Sequence, residues 1–298
     1  MATSQHPTSS RGISSGGAAA AGGIGFQAQL GALFGLQLLA QVPVDYVLEL
    51  GAAIPVWIRF ETEAPVDDIL VATSKGGFIA VQAKTTVNLS SGPDGGFAKT
   101  IQQFVRHWLV CRDGQGEQLW DRCLDPSKDR LVLAVGPTAP ASIRVDLPAA
   151  LRSYSQPSPS AMTQGQQKAL EAFETCMREA WGNTTAEPWS PTVLQSVGQL
   201  VRVMTFDPAG VYANVMEGLA GTVTTTDQTR PLITALTQIS QRWMTERSGG
   251  DLPTLRQVVM HAQVQLSAPP RFEDDTLVPV SRFTPTTTAR YERTAAFI

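Results

Sequence analysis

The sequence predicts an α/β fold: a mixed sheet flanked by helices, followed by a mostly helical module. First, two short apolar runs, Ile69–Ala72 and Phe78–Val81, flank the turn signal Ser74-Lys75-Gly76-Gly77, which is typical of a β-hairpin. Second, Arg130–Gly136 is a continuous apolar run of the kind found in a central strand buried on both faces. Third, apolar residues after position 160 recur with helical spacing.

Length and composition indicate a globular chain. Its 298 residues suffice for one large domain or two ordinary ones, and 43% of them are hydrophobic while 16% are charged. The net charge is −3, which excludes a global basic field for nucleic acid. The three cysteines are odd in number and lack metal-ligand spacing, and the three histidines are scattered. We therefore expect reduced thiols in a cytoplasmic protein and no zinc site.

The first element is an apolar helix over about Gly25–Gln41. Residues 1–22, rich in Ser, Gly and Ala, are expected to form a disordered tail before it. Because no charged residue lies between Arg11 and Asp45, a signal peptide or a membrane span is the alternative. Glutamines and glycines interrupt the apolar run and no basic segment adjoins it, so we favour a buried helix and no membrane partner.

A strand is predicted at Val56–Phe60, and the hairpin comes after it. Asp67 and Asp68 stand at the mouth of the first hairpin strand, and Gln82 and Lys84 stand at the end of the second. Since strand side chains alternate between faces, Gln82 and Lys84 point the same way. Carboxylates here can hold a hard cation such as Mg²⁺, while the ammonium orients or deprotonates water.

The alternative for this hairpin is a pair of strands that ends in ordinary solvated polar residues, because a short motif arises by chance. A second Gln-x-Lys triplet, Gln166-Gln167-Lys168, lies in a helical pattern with no acidic hairpin before it. Context therefore favours the triplet that ends at Lys84. Glu61 and Glu63 come after the Val56–Phe60 strand and are the nearest carboxylates that could complete a metal shell.

Beyond the hairpin, Phe97–Val110 is predicted as a helix with one apolar side. Lys99, Arg106 and His107 lie on or near its other faces, where they could touch phosphates or keep the helix solvated. With the strand at Arg130–Gly136, the predicted order of elements is α-β-β-β-α-β.

These motifs resemble the PD-(D/E)xK nuclease superfamily. Val-Asp-Asp-Ile followed by Val-Gln-Ala-Lys looks like its Gln-x-Lys branch, and the Gly-Phe-x-x-Gln start of the first helix is similar to the double-stranded DNA endonuclease domain of bacterial anti-phage effectors of the CBASS and STAND types. The resemblance implies a restriction-endonuclease-like core and an endonuclease that uses Mg²⁺ or Mn²⁺. It implies catalytic roles for Asp67, Asp68, Gln82 and Lys84. It also implies that the first helix supplies a polar residue, Gln29 or Gln27.

The second half holds no nucleophile–base pair and no phosphate-binding loop. A Ser- and Pro-rich stretch near 153–160 marks a boundary, so we predict a nuclease-like domain over 23–155 and a helical accessory or oligomerisation domain over 156–266. Residues 267–298 are expected to be a linker or tail. Four helical segments and one strand are predicted here: Gln164–Trp181, Val201–Phe206 (the strand), Asn214–Thr222, Arg230–Arg247 and Leu252–Gln265.

The expected partners are double-stranded DNA and either further copies of the chain or a larger defence complex with an ATPase or sensor component. On this interpretation the chain is a fragment of a longer effector or works beside one. Two alternatives stay open: a nuclease-like fold that only binds nucleic acid or protein, and a scaffold with no nucleic-acid role. A scaffold with no nucleic-acid role would show no salt-dependent binding to DNA, whereas a protein that binds DNA would show it.

Overall fold

A computed structural model of the chain describes residues 16–90, 92, 94–114, 118–156 and 161–267. Within these residues, one six-stranded mixed sheet is flanked by helices. The strands are β1 (Pro55–Phe60), β2 (Ile69–Thr73), β3 (Phe78–Lys84), β4 (Arg130–Val135), β5 (Val201–Thr205) and β6 (Gly249–Asp251). The helices are α1 (Gly16–Ala40), α2 (Gly96–Asp113), α3 (Leu147–Tyr154), α4 (Gln164–Thr184), α5 (Pro191–Leu200), α6 (Val211–Val223), α7 (Thr229–Glu246) and α8 (Leu252–His261).

The strands lie in the order β5-β4-β3-β2-β1-β6. β1, β2 and β3 form an antiparallel meander, and β6 runs antiparallel to β1 at one edge. β4 and β5 continue the sheet in parallel with β3. The predicted order α-β-β-β-α-β is confirmed by α1, β1, β2, β3, α2 and β4.

The predicted hairpin is β2 and β3. Gly76 has a φ of +70°, a left-handed conformation that glycine adopts without strain. Thr73 N donates to Gly77 O at 2.9 Å and closes the turn. The pairing of Ile69 with Val81 then fixes which residues meet at the far end of the hairpin.

The two faces of the hairpin belong to two different cores. Ile69, Val71, Ile79 and Val81 pack in the core that contains α1, α6, α7 and α8. Their neighbours along the strands pack in the second core, with α2, α3, α4 and α5. This alternation places helices on both faces of the sheet, which explains why all five residues of β2 are buried.

α1 is the buried helix that the sequence predicts. Its large apolar side chains from Leu30 to Leu39 are at most 1% exposed. Within the described residues, Gly22–Ala40 is the one stretch long and apolar enough to cross a membrane, and 78% of it is buried inside the protein. That is weak evidence for a span, because a core helix has the same composition.

The segment after residue 156 is built into the same sheet. β5 pairs with β4, β6 pairs with β1, and α4 and α7 pack on α2 and α1. The division of the chain near 155 stays a prediction, and the accessory part is not only helical, since it supplies these two strands. Helices α3 and α5 and strand β6 are further elements that the sequence did not indicate.

The chain ends are partly outside the described residues. α1 begins at Gly16, so residues 16–22 of the expected tail are helical. Residues 1–15 and 268–298, which hold the rest of both expected tails, lie outside the part that the structure describes. The cysteines Cys111, Cys123 and Cys176 are free thiols.

Candidate active site

The candidate site lies where β2 begins and β3 ends. Because Ile69 pairs with Val81, the preceding Asp68 lies opposite Gln82. Asp68 Oδ2 accepts two hydrogen bonds there, from Gln82 Nε2 at 2.5 Å and from Ala83 N at 2.7 Å. One of the two predicted acids, Asp68, is therefore in direct contact with the predicted amide across the hairpin.

Asp68 is a carboxyl group with an unusual proton affinity. Burial raises its pKa to about 7, because desolvation outweighs the lowering by the Ala83 N–H and by the positive charge of Lys84. The negative charges of Asp67 and Glu61 raise this pKa further. Such a group gains from a nearby cation, since a positive charge would favour the ionised form.

Gln82 is 2% exposed, and its Oε1 is buried without a hydrogen-bond partner in the described residues. A buried amide oxygen that lacks a donor costs free energy, so this atom marks a place where a cation or a donor would fit. Lys84 lies two residues later on β3 and is half-buried. By strand alternation it points to the same face as Gln82.

Glu61 and Gln27 join the site from β1 and α1. Gln27 is buried, and its Nε2 donates to Glu61 Oε1 at 2.9 Å and to the Asp68 backbone oxygen at 3.0 Å. Glu61 has a φ of +47°, a left-handed conformation that is uncommon for a residue with a side chain. Of the two glutamines proposed for the first helix, Gln27 lies in the site, whereas Gln29 is exposed.

The other two predicted carboxylates lie differently. Asp67 Oδ1 accepts from Gln103 Nε2 of α2 at 3.3 Å, so Asp67 is tied to the helix that covers this end of the sheet. Glu63 instead forms an ion pair with Arg59, with Glu63 Oε1 at 3.8 Å from Arg59 Nη2, and the Glu63 side chain is 70% exposed. The structure thus brings Asp67, Asp68, Gln82, Lys84 and Glu61 to one region and leaves Glu63 outside their hydrogen bonds.

The sequence did not indicate that two residues of α2, Gln103 and His107, support this region. Gln103 lacked any motif, since helix residues are placed by tertiary packing. His107 was assigned to the faces away from the apolar side, yet it is 1% exposed. Its Nδ1 accepts a hydrogen bond from Val66 N at 3.4 Å and so holds the segment that leads into Asp67. Burial lowers the pKa of His107 to about 4, although the charge of Asp129 acts in the opposite direction.

The residues at this site suit a hard cation by their chemistry. Asp68 Oδ1 accepts no hydrogen bond within the described residues, and Gln82 Oε1 has no partner there. Carboxylate and amide oxygens are the ligands that Mg²⁺ prefers. No group of three or more His, Cys, Asp or Glu in the described ranges has the geometry of a metal site.

The second Gln-x-Lys triplet has a structural role. Gln166 forms a capping box with Thr163 at the start of α4: Gln166 N donates to the Thr163 hydroxyl and Thr163 N donates to Gln166 Oε1. This triplet starts a helix, as its sequence context indicates.

No protein-family model matches the chain, and a search of curated proteins gives no match. Among solved structures, the Acinetobacter baumannii Cap4 SAVED/CARF-domain containing receptor is similar over 90% of this chain and 56% of its own, with a TM-score of 0.47 and 13% identity. For the same receptor with the cyclic trinucleotide 2'3'3'-cAAA, the match covers 80% of this chain and 44% of the receptor chain, with a TM-score of 0.46 and 14% identity. For the receptor with 3'3'3'-cAAA, the match covers 80% of this chain and 45% of the receptor chain, with a TM-score of 0.45 and 12% identity. The chain spans about half the length of these receptors, and because the TM-scores lie below 0.5 we base no conclusion on the likeness.

Proposed function

We propose that this protein is an endonuclease that uses Mg²⁺ or Mn²⁺ to cut double-stranded DNA. The observation that carries the proposal is the contact of Asp68 with Gln82 across the hairpin, with Lys84 two residues further along β3. The sequence around these residues resembles the Gln-x-Lys branch of PD-(D/E)xK nucleases, and the order of elements agrees with that core.

Asp68 and Gln82 are the residues that would hold the metal ion, with Asp67 and Glu61 as nearby carboxylates. A bound Mg²⁺ supplies Lewis-acid chemistry and lowers the pKa of water. The Gln82 Nε2 and Ala83 N groups fix Asp68 Oδ2, so the other carboxylate oxygen keeps a set direction. Gln27 holds Glu61 beside them.

We assign to Lys84 the activation of the attacking water and the stabilisation of negative charge. This lysine is half-buried at the end of β3, and its positive charge acts on the Asp68 carboxyl, so the ammonium group lies beside the proposed metal ligands. Next to a phosphodiester, its Nζ would orient the attacking water and offset the negative charge that develops in the transition state.

The test is cleavage of supercoiled plasmid with Mg²⁺ or Mn²⁺ and with EDTA. We expect nicked or linear product only with metal. Lys84→Ala should lower the rate at least about 100-fold while the circular dichroism spectrum and DNA binding stay unchanged, because a group that acts in the transition state contributes little to the ground state. Lys168→Ala, in the other Gln-x-Lys triplet, is the matched control and should cut like the parent. If Lys84→Ala cuts as fast as the parent, or unfolds, Lys84 is a structural residue.

A second candidate is a nuclease-like fold that binds DNA or a partner protein without cutting. The observation in its favour is that no group of three or more His, Cys, Asp or Glu among the described residues has the geometry of a metal site. Salt-dependent DNA binding without cleavage under every metal tested would support this candidate over the enzyme.

The proposal includes a role as the effector part of a bacterial anti-phage defence system, together with an ATPase or sensor component. It rests on the sequence resemblance alone. Cells that express the chain with its genomic neighbours should lower phage plating efficiency, and Lys84→Ala should restore plating. Equal protection by the parent and by Lys84→Ala would show that defence against phage does not depend on cleavage.

A further inference from the structure

The outer surface of α2 carries a narrow exposed strip beside the candidate site. We call it the α2 strip: Lys99, Gln103, Arg106 and Val110. Lys99, Arg106 and Val110 are exposed and Gln103 is half-buried, whereas most of the remaining helix surface is packed in the core. Successive residues turn by about 100° in a helix, so these four lie within a sector of about 60°. The strip is therefore one continuous surface.

Gln103 fixes the orientation of this strip relative to the site. Its Nε2 donates to Asp67 Oδ1 at 3.3 Å, so the middle of the strip adjoins the acidic end of the hairpin. Lys99 and Arg106 are seven residues apart, which is about 10.5 Å along the helix axis, and Gln103 lies between them. The two cations thus stand on either side of the point where α2 meets Asp67.

The charges of the strip are not neutralised by the helix itself. Lys99 and Arg106 form no ion pair within the described ranges, in contrast to Arg112, which pairs with Asp113 and Glu187. Asp113 is the one acidic residue in α2, at its last position. A chain with net charge −3 thus places two unpaired cations beside a carboxylate cluster.

We propose that Lys99 and Arg106 bind two backbone phosphates of a DNA duplex, on either side of the phosphodiester that is to be cut beside Asp68 and Lys84. The inference rests on the proposed function, since it takes the hairpin end as the place of cleavage. A duplex carries one negative charge per about 1.7 Å of its axis, so phosphates lie within reach of both side chains. The cations offset the repulsion that Asp67, Asp68 and Glu61 exert on the DNA.

The experiment measures binding of a short fluorescein-labelled duplex in EDTA by fluorescence anisotropy, from about 50 to 200 mM salt. For Lys99→Ala/Arg106→Ala, we expect the slope of log affinity against log salt to become less steep by about 1.8, since each lost phosphate contact removes about 0.9. Plasmid cleavage with Mg²⁺ should fall in parallel. Both side chains are exposed, so thermal unfolding should stay unchanged.

The matched control is Arg230→Ala/Arg242→Ala on α7, which removes two positive charges from the other face of the sheet. It should keep the parent slope. Suppose that the parent cuts DNA, but that both double variants keep the parent's salt slope or that both reduce this slope by the same amount. The α2 strip then does not bind phosphate, and the nuclease proposal stands. If the parent neither binds nor cuts DNA with any metal, both proposals are wrong.

Discussion

Asp68 and Gln82 lie opposite each other on neighbouring strands, and the Gln82 amide donates to the Asp68 carboxylate at 2.5 Å. A carboxylate at position 82 would place two like charges at this distance in a poorly hydrated site, and one of them would have to bind a proton. The amide removes that repulsion, and its Oε1 is buried without a hydrogen-bond partner in the described residues, so it stays the proposed ligand for a cation. This accounts physically for an amide at a place where the motif that the sequence resembles also allows an acid.

His107 gives the fold a predictable response to acid. Its pKa is lowered to about 4 in the folded protein and is about 6.5 in an unfolded chain, so the unfolded state binds more protons between these values. The stability from neutral His107 is fully present above pH 6.5 and is lost as the pH falls through 4. The loss should amount to about 3 kcal/mol, measured by urea unfolding at a series of pH values.

The control variant for His107 keeps a hydrogen-bond acceptor at this position and removes the group that titrates. In His107→Gln, an amide oxygen can still accept from Val66 N, so the variant should lack this acid-dependent loss even if it is less stable at pH 7. The raised pKa of Asp68 acts in the opposite direction, since the folded protein gains stability as the pH falls below 7, but parent and variant share that effect. Parallel profiles for the parent and His107→Gln would contradict the assignment.

At the scale of elements, the sequence predicts those parts of the fold that local patterns determine. The β2–β3 turn, the apolar β4 and the amphipathic α2 each have a period or a turn signal, and the structure confirms them. The turn also sets the register, and in the structure this register brings Asp68 rather than Asp67 opposite Gln82, a choice that the sequence left open.

Elements that depend on contacts far along the chain could not be predicted. β6 reads Gly-Gly-Asp, which has low strand propensity, yet it pairs with β1. A Cβ atom at Gly249 would lie 2.0 Å from Ile58 O, so the glycine is needed for the close approach of two backbones. Gln103 likewise reaches the site through the packing of α2 on the sheet, which no local pattern encodes. The resemblance named Gln27 or Gln29, and the packing of α1 on the sheet decides for Gln27.

The seating of α1 on the sheet depends on Gly31. A Cβ atom there would lie 2.5 Å from Cζ of Phe60 and 2.8 Å from the Ser240 hydroxyl, so Gly31→Ala would push α1 away from β1 and α7. We expect a net loss of about 1–3 kcal/mol in the free energy of unfolding, despite the better helix propensity of alanine. Cleavage should also fall, since Gln27 lies one turn away on α1.

Urea unfolding of Gly31→Ala against Gly218→Ala separates packing from propensity. Gly218 is exposed on α6, and a Cβ atom there would meet nothing within 4 Å. Gly218→Ala should therefore be neutral or up to about 1 kcal/mol more stable than the parent. A Gly31→Ala protein as stable as the parent would show that α1 can shift at no cost.

At the scale of the whole molecule, the charge distribution determines how the proposed nuclease would bind and cut DNA. A net charge of −3 gives little long-range attraction to a duplex, and the α2 strip supplies only two free cations near the site. One chain also offers one candidate site, whereas a double-strand break needs a cut in each strand. Several copies held together would sum their phosphate contacts into a higher effective affinity.

We therefore predict that double-strand cleavage rises more steeply than linearly with protein concentration and falls sharply with salt. Single-strand nicking should rise linearly, because each chain can nick alone. Both products come from one plasmid assay with Mg²⁺, resolved as nicked and linear forms over a protein dilution series. Mixing the parent with an excess of Lys84→Ala should suppress linear product more than nicked product, since mixed assemblies hold one competent site. Linear product that stays proportional to the parent concentration in both experiments would show that a single chain makes both cuts.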